Sequence, residues 1–370
     1  MKSVLIYSFT FLILGCTMST NNSITETNNK NSFNPFFEKS KLYMGFPPFD
    51  LIKNEHYLPA FLMGMSKQLD EIDLITNNKE GPTFDNTIVA MEMSGELLGR
   101  VAAVFFALTS ANTNDEMEKI RAEIAPKLSA HSDKILLNPK LFKRVEEVYT
   151  NRESIGLNGE SMLLIERYYI DFVRSGSKLS IKEKDRLKSI NGEISVLQTQ
   201  FSQNVLKEVN ASAVIFDSRK DLDGLSNTAI ESAANEASSR GLNGKYVIAL
   251  KNTSGQPSLS SLTNRSSREK IHKASLSRGS RGGEFDNREI LVNIIKLRSE
   301  KARLMGYNNH AAYTLETQTA QNPQNVNKRL SSLSPKALAN AKKEASDLQK
   351  MIKSEGSSFE LESWDWDFYT

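Results

Sequence analysis

The stretch 57-YLPAFLMGMSKQLDEI-72 decides the fold class. Tyr57, Phe61, Met65, Leu69 and Ile72 recur at steps of three and four residues. That spacing places them on one face of an α-helix and excludes the two-residue period of a strand. Working outward, Gly81-Pro82 breaks this helix, and Thr83 or Asp85 can cap the next one. The next helix is predicted to run without interruption through Ile88, Met91, Leu98, Val101, Val104 and Phe105. Its Val101–Leu108 stretch is apolar nearly all round, which predicts a central place in a bundle.

The same alternation of capping residue and periodic apolar run continues. Asn114-Asp115 opens a helix through Ile120, Ile124, Leu128 and Ile135, with Pro126 as a candidate kink. Asn138-Pro139 restarts the chain. Helices are predicted over 160–174, closed by Gly176, and over 181–209, opened by Ser180, with Leu187, Ile190, Ile194, Leu197 and Phe201 in register. Two β-rich runs, 213–216 and 246–250, flank a helix over 227–240 and suggest a small β insertion. Helices resume over 259–276, 287–305, 310–319 and 323–353. The chain is mostly α, with no fixed-period repeat.

In front of the body, 35-PFF-37 and 46-FPPFDL-51 form an aromatic, proline-punctuated lead-in. Residues 17–34 are dominated by Ser, Thr and Asn. They have too little apolar surface to offset ordering entropy, so a flexible tether is expected there. Before it, Lys2 and the apolar run Val4–Leu14 end at Gly15-Cys16. The run is too short to span a bilayer comfortably. Gly15-Cys16 looks like the lipobox of bacterial lipoproteins, although Leu14 departs from its usual small residue. An ordinary signal peptide and a buried hydrophobic start are the alternatives. The expected organisation is a lipoprotein-type signal over 1–16 with lipidation at Cys16, the tether over 17–34, and a helical body over 35–370. The chain would then be exported and anchored to a bacterial membrane.

Composition bounds the rest. The 370 residues carry 47 basic and 44 acidic side chains, interspersed, with a net charge of +3. No strong basic face emerges, which argues against nucleic acid. Cys16 is the only cysteine, so neither an internal disulfide nor a cysteine zinc site can form.

No catalytic constellation stands out. The four histidines are His56, His131, His272 and His310, and no two are four residues apart, so no H-E-x-x-H helix exists. His56 reads as a helix-start residue, His272 as part of a solvated basic face, and His310 as capping chemistry. No G-x-S-x-G elbow follows a strand. Ser175-Gly176-Ser177 and 279-GSRGG-283 are turn chemistry; the second lacks the G-K-[ST] ending of a phosphate loop. Arg278 and Arg281 on that loop are placed to meet a carboxylate. No catalytic and no metal-binding residue is assigned.

An ordered series of segments carries a resemblance. It runs through 34-NPFF-37, 47-PPFD-50, 56-HYLPA-60, 83-TFDNT-87, 250-LKNTSGQPSL-259, Asn264-Arg265, Arg268-Glu269, 277-SRGS-280, Asp286-Asn287, 297-LRSEKA-302, 304-LMGY-307 and Trp364-Asp365-Trp366. Together these resemble the N-terminal half of bacterial peptidyl-dipeptidases (dipeptidyl carboxypeptidases) in the thimet-oligopeptidase family of zinc metallopeptidases, over residues 34–370. The resemblance implies a helical half of a neurolysin-like, two-part ellipsoid with a deep channel. It implies zinc in the intact enzyme, oligopeptide substrates, and removal of C-terminal dipeptides. The H-E-x-x-H helix, the third zinc ligand and the oxyanion-stabilising residues belong to the other half, so this chain by itself is expected to bind no zinc and to be inactive. Two readings compete: a truncated or split peptidase whose partner is the missing half, and a non-enzymatic lipoprotein that binds peptides along the helical wall. The aromatic end, 364-WDWDFYT-370, is expected to be exposed, with its natural fold continuing beyond Thr370.

Overall fold

The computed structural model describes residues 33–251 and 255–370. Cys16 and nearly all of the assigned tether therefore lie outside the described residues. Asn34, at the end of the assigned tether, is buried; its amide donates to the carbonyl of His56 (2.9 Å).

The helices are α1 (Asn54–Thr76), α2 (Glu96–Ala111), α3 (Asp115–Leu136), α4 (Pro139–Thr150), α5 (Gly159–Arg174) and α6 (Ile181–Ala211), as expected in kind and order. After β1 (Val214–Phe216), α7 (Asn227–Ser239) and β2 (Tyr246–Ile248), the chain continues through α8 (Arg265–Leu276), α9 (Arg288–Leu304), α10 (His310–Leu315) and α11 (Pro323–Ser354). A terminal turn, α12 (Trp366–Tyr369), closes the chain. The fold is mostly helical, and among the described residues its one sheet is the antiparallel pair β1–β2, with Ile215 opposite Val247.

Asparagine and serine start these helices by accepting orphan amides of the first turn. Asn114 accepts from the Met117 amide (2.9 Å), Asn158 from Ser161 (2.8 Å) and Asn322 from Asn325 (2.9 Å). Ser180 and Glu183 form a reciprocal box, as do Thr83 and Asn86. Three packed clusters follow. The first joins Phe36, Tyr57, Phe61, Phe105 and Ile124 between α1, α2 and α3. The second gathers Ile72, Ile88, Leu141, Ile165 and Phe172. The third lies under the sheet, around Phe216, Leu222, Leu259 and Ile271.

Several expectations need correction. The helix predicted to run from Thr83 through Phe105 is broken. A π-helical turn (Phe84–Val89) and a short α turn (Ala90–Glu92) stop before Gly95, which takes a left-handed φ of 75°. The amide of Gly95 binds Glu71 Oε2 on α1 (2.7 Å), which fixes the break. The Val101–Leu108 stretch is not surrounded: Phe106 and Ala107 face outward. The helix predicted from Leu259 begins at Arg265, because Arg268 Nη1 holds the carbonyls of Leu262 and Thr263 in a non-helical loop. Residues 257–260 form a 3-10 turn there. The helix at His310 ends at Leu315 rather than Thr319. Pro126 sits inside α3, which continues unbroken.

The aromatic end is the largest departure. Trp364, Trp366, Phe368 and Tyr369 are half-buried, not exposed. Asp365 is fully buried and accepts from Arg265 (2.8 Å) and Arg268 (2.8 Å), which draws the segment onto α8.

Candidate functional site

The four histidines sit apart in local roles. His56 Nδ1 accepts the Lys53 amide (3.0 Å) at the start of α1. His131 is buried on α3 with Nε2 2.7 Å from Gln68 Oε1 on α1; burial, with Lys134 nearby, lowers its pKa. His272 meets the edge of Trp364, its ring centroid 6.2 Å away, instead of facing solvent alone. His310 opens α10, where Asn309 is the cap. Among the described residues no three His, Cys, Asp or Glu side chains group to hold a metal ion. A catalytic zinc needs three such ligands and an open position. The donors grouped among the described residues do not fit such a site.

Arg281 does meet a carboxylate. Its Nε donates to Glu208 Oε1 on α6 (3.0 Å), and the Gly279 amide donates to the other oxygen. Arg278 instead donates to the carbonyl of Lys251 (2.8 Å). The glycine loop is thus tied to α6 by a buried acid, as turn chemistry and not as a phosphate cradle.

Among the described residues, three concave surfaces of about 600 Å³ or more stand out. A cleft of about 600 Å³ between α3 and α6 contains a polar chain that the sequence did not announce. Asn191 donates to Asp133 (2.7 Å) and accepts from Lys301 Nζ (2.7 Å), joining α3, α6 and α9. Burial pushes the Asp133 carboxyl up and the Lys301 ammonium down. Carboxyl and ammonium are bridged by the amide, which makes this a tie between helices. A second groove of about 670 Å³ runs between α6 and α9, past Val196, Leu197 and Leu297. A third, of about 610 Å³, lies beside β2, between Val247 and Ala249 on one side and Ala229, Ser232 and Glu236 of α7 on the other.

The most unusual surface is convex. Of the 32 residues of α11 only Ile352 is buried, and residues 327–340 are exposed on every side. Yet Val326, Leu330, Leu333, Ala337, Ala341, Ala345, Leu348 and Ile352 recur at three- and four-residue steps. That is the core-facing stripe of an amphipathic helix, laid out in water. Leu330, Leu333 and Leu338 are 56%, 52% and 56% exposed. On α9, Leu291, Val292 and Ile295 are exposed as well. The periodicity of α11 was legible in sequence; that it stands uncovered was not.

Residues 258–370 match the family model of peptidase family M3. The chain is 37% identical over 338 residues to the dipeptidyl carboxypeptidase of Escherichia coli (strain K12), covering 91% of this chain and 50% of that protein. The enzyme of the same name from Salmonella typhimurium gives the same identity and coverage. Oligopeptidase A of Haemophilus influenzae is 29% identical across 88% of this chain and 48% of its own length. The chain spans about half the length of the curated relatives it matches.

Proposed function

We propose that this chain, which belongs to peptidase family M3, supplies one wall of a zinc peptidyl-dipeptidase and is inactive until a second, zinc-bearing half joins it. The observation that carries this reading is α11. A long amphipathic helix gains most of its stability from packing its apolar face. Here, among the described residues, that face is exposed along its middle, over residues 327–340, where a partner surface would fit. The described residues offer no zinc-ligand group. The chemistry that zinc brings to such an enzyme, activation of water and polarisation of the scissile carbonyl, would come with the partner.

Expression of the chain alone and together with the C-terminal half of a related dipeptidyl carboxypeptidase tests the proposal. The chain alone should hold no stoichiometric zinc and release no C-terminal dipeptide. The mixture should form a complex, bind zinc and regain dipeptide release. One zinc per chain with chelator-sensitive activity in the isolated chain would refute it. The groove beside β2 supports a second reading, a peptide-binding lipoprotein without catalysis, because a strand next to a concave surface suits an extended peptide. Tight peptide binding by the isolated chain, with no complex in the mixture, would favour that reading. Under both readings Cys16 is proposed as the acylated anchor. Cys16→Ala should release the chain from membranes, and unchanged partition would remove the anchor.

A further inference from the structure

We propose that the lead-in loop, residues 37–51, rests on a lipid surface, with Tyr43, Met44 and Phe46 as the inserting side chains. The proposal deepens the anchored-lipoprotein reading of Cys16 and rests on it.

The loop is built outward. Phe36 is locked in the first core cluster, and Arg100 Nη2 holds its carbonyl (2.9 Å). From that point the apolar side chains turn away from the body. Tyr43 and Met44 are 88% and 87% exposed, and Phe37, Leu42, Phe46, Phe49 and Leu51 are exposed too. The presentation is structured: a 3-10 turn (Tyr43–Gly45) puts Met44 at a left-handed φ of 55°, and Phe46 packs edge-on against Phe49 at 5.7 Å. Ser40 Oγ closes the loop by donating to the carbonyl of Phe46 (2.6 Å). A contiguous run of exposed apolar side chains on a closed loop marks an interaction site with a protein or a membrane.

The chemistry of the tip selects its occupant. An exposed tyrosine with a lysine two residues before it, here Tyr43 and Lys41, suits a membrane–water interface, where the ring enters the headgroup layer and the ammonium group stays wet. The sequence supplies the geometry. Residues 17–32 separate Cys16 from Phe33. Even fully extended they reach roughly 60 Å, so an acylated Cys16 would keep the loop within that distance of the bilayer. Such tethering raises the local concentration of lipid enough for a weak apolar contact to be populated.

The test uses the full chain on phosphatidylcholine–phosphatidylglycerol vesicles. Met44→Cys is labelled with a nitroxide, and collisions with oxygen and with a water-soluble nickel chelate are compared. Leu74→Cys is the reference: it is 75% exposed and stands at the far end of α1, roughly 30 Å from Lys53. Residue 44 should favour oxygen over nickel severalfold more than residue 74 does. Equal ratios at the two positions would overturn the proposal. So would a label at 44 that loses both reagents only when the C-terminal half of a relative is added, since the loop would then be a protein interface. Thiol counting separates the two readings. An acylated Cys16 leaves one reactive thiol per variant; two reactive thiols would remove the anchor, and the comparison of 44 with 74 would still decide the loop.

Discussion

Replacing Asp365 with alanine should undock the C-terminal segment while leaving most of the helical body folded. Asp365 is fully buried and receives Arg265 through Nε (3.0 Å) and Nη2 (2.8 Å), Arg268 through Nη2 (2.8 Å), and the Glu362 amide (3.1 Å). Arg268 is itself 1% exposed, so the substitution strands a buried guanidinium. Breaking a buried pair from one side costs about 3–5 kcal/mol. The Arg265 arm adds little, because that side chain is a third exposed and water screens it. Phe368 stacks on Arg268 (4.2 Å) and Phe359 on Arg265 (4.2 Å), so these rings lose their platform together. Both tryptophans of the chain lie in this segment, which makes the assay direct. Asp365→Ala should red-shift tryptophan emission and speed amide exchange over residues 357–370, with far-ultraviolet circular dichroism nearly unchanged. Asp365→Leu combined with Arg268→Met should restore part of the lost protection, since an apolar pair avoids the stranded charge although the Leu262 and Thr263 carbonyls lose Arg268. The pH dependence follows from the carboxyl. Burial raises its pKa, but the bonds from Arg265 and Arg268 outweigh burial and hold it below the usual carboxylate range. The stabilisation is therefore complete above about pH 4 and is lost as pH falls through the lowered value. Unchanged emission and exchange in Asp365→Ala would show that the segment is held by something other than this pair.

Gly64 faces α2 where an added Cβ would stand 2.9 Å from the Leu98 backbone. Gly64→Ala should therefore force α1 and α2 apart at a cost of about 1–3 kcal/mol, read as a lower midpoint in urea. His131 is held neutral by burial, so its folded pKa lies below the ordinary value. The unfolded chain then binds the extra proton first, and stability should fall as pH drops below about 6.5 until the folded value is reached. His131→Gln should flatten that slope in thermal melts between pH 7 and pH 5. Leu330→Glu with Leu333→Glu should lower binding of a hydrophobic dye and self-association without lowering the melting temperature, because neither side chain is buried in the chain alone. A large loss of stability in that variant would mean that α11 packs within the monomer.

The local structure was largely written in the sequence. A periodic run such as Tyr57–Ile72, bounded by Lys53 with His56 at one end and Gly81-Pro82 at the other, needs only nearest-neighbour physics to become a helix. The same holds for Asn114, Asn138 and Ser180, whose side chains accept amides three residues away. The ordered series of segments likewise pointed to the relatives that this chain matches over about half of their length. Long-range partners were not legible, because a single sequence names residues but not which of them meet. Nothing local distinguishes Glu71, which fixes the Gly95 break from another helix, or Asn191, which bridges Asp133 to Lys301. The aromatic end shows the difference most clearly. Read as sequence it is an apolar terminus without a partner, whereas in the fold Arg265 and Arg268, about a hundred residues upstream, supply the charges that bury Asp365 and bring the rings with it. For α11 the sequence determined a helix with one apolar stripe, and only the tertiary structure decided that the stripe faces water, because burial is a property of what packs around a helix and not of the helix itself.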